Sequence, residues 1–176
     1  MYHISLYFDT KTEARMREYI RKVAEATGNT YMLDAKVSPH ITLVAFECEK
    51  EDELIQRLEA IICSMQPGML HWVSVGTFLP GVIFLQPVLN EYLQELMQKV
   101  HDCLQEIEGI KIRPCYCPYS WLPHSTMAKK LTPIQLQQAF EGLQKEFTVF
   151  QGKCIRIGLA KMNPHKEIVS YTMESV

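Results

Sequence analysis

Pro39-His40-Ile41-Thr42-Leu43 and Pro123-His124-Ser125-Thr126-Met127 are two copies of one pattern, about half a chain apart. In a β-strand, residues i and i+2 point to the same face. Each copy therefore presents an imidazole and a hydroxyl side by side. An imidazole moves protons near neutral pH, and a hydroxyl donates to a phosphate oxygen. The chain has six histidines and nine prolines, so a bare His-x-Thr pair would carry little weight. The proline before and the apolar residue after each copy make the repetition specific. Proline also fixes φ and lacks an N–H, which suits the first residue or the edge of a strand. The plain alternative is two ordinary strand starts in a duplicated fold, with both imidazoles satisfied by backbone.

Working outward, Tyr2 to Phe8 alternates polar and apolar residues, as a half-buried strand does. Thr10-Lys11-Thr12-Glu13 is a capping-box sequence for a helix that buries Ala14, Tyr19, Ile20 and Val23 and stops at Gly28. The first motif opens a strand, His40 to Glu47. A helix over about Glu51 to Met65 follows, then a hairpin of Leu70–Phe78 and Val82–Gln86. The second half repeats the order. A helix from Asn90 to Ile107 leads through a loop rich in Pro, Cys and Tyr to the second motif. Thr132-Pro133 caps a further helix, burying Phe140, Leu143 and Phe147. Two strands, about 152–162 and 168–173, close the chain around a turn at Asn163-Pro164. Each motif is thus followed by helix, strand, turn and strand, which reads as a tandem duplication. Strands and helices mix without strict βαβ alternation, so the class is α+β.

The 176 residues suit one domain of two closely packed halves, with a core that needs no metal or disulfide staple. Net charge is −2, so no global attraction to nucleic acid exists and any phosphate affinity must be local. Between Glu108 and Glu141 there is no acidic residue, while Lys111, Arg113, Lys129 and Lys130 fall there, around His124. The six cysteines form no Cys-x-x-Cys pair, and the opening residues lack a basic, then apolar, leader. Free thiols in a reducing, cytoplasmic compartment are the expectation. No apolar run reaches membrane-spanning length.

The chemistry such a pair supports is phosphodiester cleavage. In-line displacement puts the attacking and leaving oxygens on opposite sides of phosphorus, so a base and an acid should face each other. Two histidines near the usual value of about 6.5 can share those roles. Thr42 and Thr126 can hold the non-bridging oxygens. With no His-x-His, no His-Glu-x-x-His and no dense acidic cluster, no metal and no other cofactor is expected.

Two proline-preceded His-x-Thr-apolar motifs in a duplicated α+β chain of this length resemble the 2H phosphoesterase superfamily, in its 2′-5′ RNA ligase-like branch. The resemblance covers essentially the whole chain. It implies a bilobal fold, residues 1–176, of two antiparallel sheets with helices outside and the site in the cleft between them. It implies His40 and His124 as the catalytic pair and Thr42 and Thr126 as their phosphate-binding partners. It also implies metal-independent hydrolysis of 2′,3′-cyclic phosphate ends of RNA or nucleotides. Tyr116, Tyr119 and Trp121 precede His124 closely, and Tyr119 and Trp121 are candidates to stack on a base. Arg113 and Lys129 are candidate phosphate neutralisers. His3, His71, His101 and His165 read as strand, helix and turn residues. Other substrates for the same site are 2′-5′ oligoadenylates and cyclic oligonucleotide signals, and ligation is the chemical reverse. A non-catalytic RNA-binding module is the reading from another class. No membrane contact and no obligate protein partner are expected.

Overall fold

The computed structural model describes residues 1–62, 64–162 and 164–173. In chain order the elements are β1 (Tyr2–Phe8), α1 (Thr10–Thr27), α2 (Tyr31–Asp34), β2 (His40–Glu47), α3 (Glu51–Ile62), β3 (Gly68–Phe78), β4 (Val82–Pro87) and α4 (Glu91–Gln105). After these come β5 (Lys111–Ile112), a 3₁₀ turn (Pro114–Tyr116), β6 (Ser125–Ala128), α5 (Pro133–Glu146), β7 (Phe150–Lys161) and β8 (Lys166–Thr172). The motif histidine opens β2, whereas His124 lies just before β6.

All strand pairings are antiparallel. The order is β5-β2-β1-β7-β3-β4-β6, with β8 also on β7. The resemblance implies two sheets; here hydrogen bonds join them into one, and the long strand β7 is the joint. Its first residues, Phe150–Cys154, pair with β3, and Cys154–Lys161 pair with β1. One wing is therefore β5-β2-β1-β7-β8 and the other β7-β3-β4-β6. Each motif strand pairs with the strand that precedes a long helix: β2 with β1, and β6 with β4. The helices then cross over. Helix α1 packs on α5 and reaches β6, while α4 packs on α3 and reaches β2.

Local sequence explains most of the helix ends. Asp9 is the N-cap of α1, accepting from the Thr12 amide at 2.7 Å, one residue earlier than the capping-box reading of Thr10. Gly28 takes the left-handed conformation (φ 68°) that closes α1 and returns its N–H to Ala24. Thr132 and Gln135 complete a capping box on α5, with Pro133 at the first turn. Two core expectations fail. Ala14 is exposed and Met16 takes its place in the core, because the buried stripe of α1 runs through Thr12, Met16, Tyr19 and Val23. Phe140 is 45% exposed, with Ala139 and Leu143 facing inward instead. Helix α3 is described to Ile62; Cys63 and Asn163 lie outside the described residues.

The two faces of the β1–β2–β7 wing differ. Ile4, Leu6, Phe8, Ile41, Leu43, Ile157 and Leu159 are almost wholly buried and form the core. His3, Ser5 and Tyr7 alternate with them and lie on the other face, where Ser5 pairs with Thr42 and Tyr7 with His40.

Candidate active site

Both motif histidines are held in the same way. His40 Nδ1 is 2.8 Å from the Ser38 carbonyl, and His124 Nδ1 is 2.8 Å from the Leu122 carbonyl. A carbonyl only accepts, so Nδ1 carries the proton in each ring and Nε2 is left as the reactive nitrogen. In the neutral ring Nε2 accepts a proton; in the cation it donates one. The two motif strands approach each other directly, within 8 Å between Cα atoms. A charge on His124 is felt at His40.

The surroundings of the two rings differ. The His40 ring lies 5.8 Å from Tyr7, over whose ring the Arg156 guanidinium sits at 4.0 Å. Arg156 is ion-paired with Glu167 at 2.8 Å. The His124 ring contacts two phenylalanines, Phe78 at 4.8 Å and Phe84 at 5.1 Å. Gly76 makes this possible: a Cβ there would lie 2.5 Å from the Phe84 ring. Burial pushes the His40 imidazole down to about 4, with repulsion from His165, His124 and Lys129 adding to the shift. His124 is also lowered, by burial. The expectation of two rings near 6.5 is therefore corrected. Both are neutral at pH 7 in the free protein, because the partly buried sites disfavour charge.

Thr126 faces the cavity beside His124, whereas Thr42 is buried, at 7% exposure, and is not among the residues that line it. A cavity of about 430 Å³ is lined by Arg113, Tyr116, Trp121, His124, Thr126 and Lys129, together with Phe78 and neighbouring loop residues. Of the residues singled out in the sequence, the structure thus gathers Arg113, Trp121 and Lys129 at this cavity. Trp121 is largely buried, and its Nε1 donates to the Thr42 carbonyl at 2.9 Å, which fixes the loop before one motif to the strand of the other. Tyr119 stands apart, fully exposed, at a neighbouring cavity of about 360 Å³ on the α4 side whose wall Trp121 shares. Lys130 lies over the Tyr31 ring at 4.3 Å, and Lys129 shares that ring at 5.0 Å while lining the cavity.

Four cleft groups escaped the sequence reading. His3 is on the cleft face with its ring 6.5 Å from Tyr116, and His165, in the β7–β8 turn, acts electrostatically on both His3 and His40. Tyr7 and Arg156 flank His40. The alternation of His3, Ser5 and Tyr7 was visible, but which motif it would face depends on a pairing more than 30 residues distant in the chain.

An α+β chain with one antiparallel sheet and two imidazoles anchored alike at neighbouring motif strands defines a 2H phosphoesterase-type fold; of the two, His124 lines the cavity and His40 is not among its lining residues. Residues 3–166 match the 2′-5′ RNA ligase superfamily, and the chain belongs to that family. Among solved structures it is similar to TT0787 of Thermus thermophilus, at TM-score 0.68 and 15% identity over 98% of this chain and 97% of that one. It is similar to E. coli LigT complexed with 3′-AMP, at TM-score 0.62 and 13% identity over 99% and 98% of the two chains. LigT complexed with ATP aligns at TM-score 0.56 and 16% identity over 99% and 97%. No curated protein sequence matches the chain. Family membership places it among proteins of phosphodiesterase or ligase-like chemistry. No helix among the described residues is long and apolar enough to cross a membrane.

Proposed function

We propose that this protein is a cyclic phosphodiesterase that opens 2′,3′-cyclic phosphate ends of RNA or nucleotides by two-histidine acid–base catalysis. The observation that carries the reading is the identical Nδ1 anchoring of His40 and His124, which leaves two Nε2 atoms free for proton transfer. In the proposed reaction, the Nε2 of one histidine takes the proton of a water as its oxygen attacks phosphorus. The Nε2–H of the other gives a proton to the ribose oxygen as its bond to phosphorus breaks. The Thr42 and Thr126 hydroxyls and the Arg113 and Lys129 cations stabilise the charge that builds on the non-bridging oxygens. Two imidazoles supply both proton transfers, so the reaction is expected to run without metal. The complex of LigT with 3′-AMP supports a nucleotide as ligand class.

Phosphorus NMR with a 2′,3′-cyclic nucleotide and cyclic-phosphate-ended RNA, in EDTA, tests the reading. A new monoester signal is expected, with kcat reduced roughly 10²–10⁴-fold in either His40→Ala or His124→Ala. A wild type that leaves both substrates intact, or variants with undiminished turnover, would overturn it.

A further inference from the structure

Strand β3 outruns its neighbour on one side. Residues 68–72 pair with β7, whereas the pairing with β4 runs on from Trp72 to Phe78. Past Trp72 the strand β7 has ended, so among the described residues 73–78 have a strand on one edge only. In an antiparallel strand, alternate residues direct both backbone groups to the same side, so about three of these residues offer an N–H and a C=O to no strand. Apart from the pairing with β4, the segment's one hydrogen bond among the described residues runs from the Ser74 hydroxyl to the Val75 carbonyl at 3.3 Å. Open edges are usually blunted by charge or by shortness. Two others in this sheet are: β8 carries Lys166 and Glu167, and β5 has two residues. Residues 73–78, Val-Ser-Val-Gly-Thr-Phe, carry no charge, and their one irregularity lies at the start, at Val73.

An apolar groove runs beside this edge. A cavity of about 300 Å³ is lined by Val73, Ser74 and Val75 from β3 and by Phe140, Gln144 and Phe147 from α5. The spacing of four and three puts the α5 residues on one helix face. Val73, Phe140 and Val149, the residue before β7, are all exposed. None of the lining residues is charged, so the groove does not select an acidic or a basic ligand. The edge asks for an uncharged extended chain, and residues 73–78 are themselves one. Set antiparallel about a two-fold axis, the segments of two copies satisfy each other's backbone groups and bring no like charges together.

We propose that residues 73–78 form a self-complementary docking edge, on which a second copy of this chain adds its own β3 to make one continuous sheet across a symmetric dimer. Phe140 and Phe147 of each copy then meet apolar surface of the other. The inference stands independently of the phosphodiesterase reading.

Sedimentation velocity on the 176-residue chain at roughly 1–200 μM tests it, since self-association depends on protomer concentration. The mass should rise from the 20.4 kDa of one chain towards twice that value. Val73→Lys and Thr77→Lys each put a charge from both copies into the shared edge, and each should weaken the dimer about tenfold or more. Leu33→Lys, at an exposed position on α2, adds the same charge away from the edge and should leave the dimer as it is. All three replace exposed residues, and circular dichroism checks that each variant is folded. Hydrogen exchange gives a second reading on the wild type alone: amides within 73–78 should be better protected at high concentration than at low. A wild type that stays monomeric throughout, a dimer that both edge variants leave intact, or exchange in 73–78 that ignores concentration would overturn the proposal. An extended peptide that binds the groove of a monomeric wild type would overturn the second copy as its occupant.

Discussion

His40 and His124 each keep their proton on Nδ1 by a 2.8 Å bond to a carbonyl two residues back, yet burial lowers both below the usual histidine range. A reaction that needs one acid and one base then begins from two bases. The missing proton has to arrive with the substrate: a phosphate anion in the cleft offsets the burial of an imidazolium and raises its pKa. Binding of a phosphate monoester near pH 7 should therefore take up protons. Calorimetry in buffers of different ionisation enthalpy reads this uptake directly; His124→Ala and His40→Ala should each change it, and a buffer-independent heat would contradict the argument. Gly76 acts at the same scale. An added methyl would lie 2.5 Å from the Phe84 ring, which is buried, packed on Phe78 at 4.4 Å and in contact with His124. The ring, which touches His124, has to shift. Gly76→Ala is expected to lose about 1–3 kcal/mol in urea unfolding, as overpacking does, and to lower kcat as well.

The loop between β5 and β6 is the element that sets one motif against the other. Its start is tied to β2 by the Arg113 amide donating to the Ala45 carbonyl at 2.9 Å, and its end by Trp121 Nε1 on the Thr42 carbonyl at 2.9 Å. Trp121→Phe keeps an aromatic ring and deletes the donor, leaving a buried carbonyl short of a partner, at a cost of about 1–3 kcal/mol. The expected signature is a fall in kcat larger than the change in KM, because the two Nε2 atoms lose their mutual register while the cavity keeps its lining. Equal kcat in variant and wild type would reduce Trp121 to a packing residue. Elements of this kind mark the limit of sequence reading. The helices announce themselves through caps and periodicity, as Thr132-Pro133 and Gly28 do, and the motif pair through its repetition. The roles of Trp121, Tyr7 and His3 do not, since each arises from a partner far away in the chain. The short elements α2 and β5 offer too few residues for a period. Tyr119 and Trp121 look alike as loop aromatics, and only packing shows that one is exposed and the other a buried tie.

At the scale of the whole molecule, the crossed helices and the shared strand make separate unfolding of the halves costly. Helix α1 follows β1 yet reaches β6, α4 follows β4 yet reaches β2, and β7 belongs to both wings. Opening either wing exposes the buried face of the other, so we expect fluorescence and circular dichroism to report one coincident urea transition. The acid response of that transition follows from the cleft. His3 and His40 are pushed down to about 4 in the folded protein, by burial first and by neighbouring positive charge second, against about 6.5 when unfolded. Between these values the unfolded chain binds more protons than the folded one, so stability rises with pH across that window. Their contribution is fully present above about 6.5, is lost progressively as pH falls towards 4, and changes no further below it. The urea midpoint should fall steeply from about pH 6.5 to about 4. In His3→Gln, which cannot titrate, the pH dependence should shrink while the slope of ΔG against urea is unchanged. Because the two histidines share the cleft with Arg113 and Lys129, a bound phosphate should flatten the same dependence by favouring the charged rings. A midpoint in wild type that is level across this window would contradict the burial of positive charge on which the site is built.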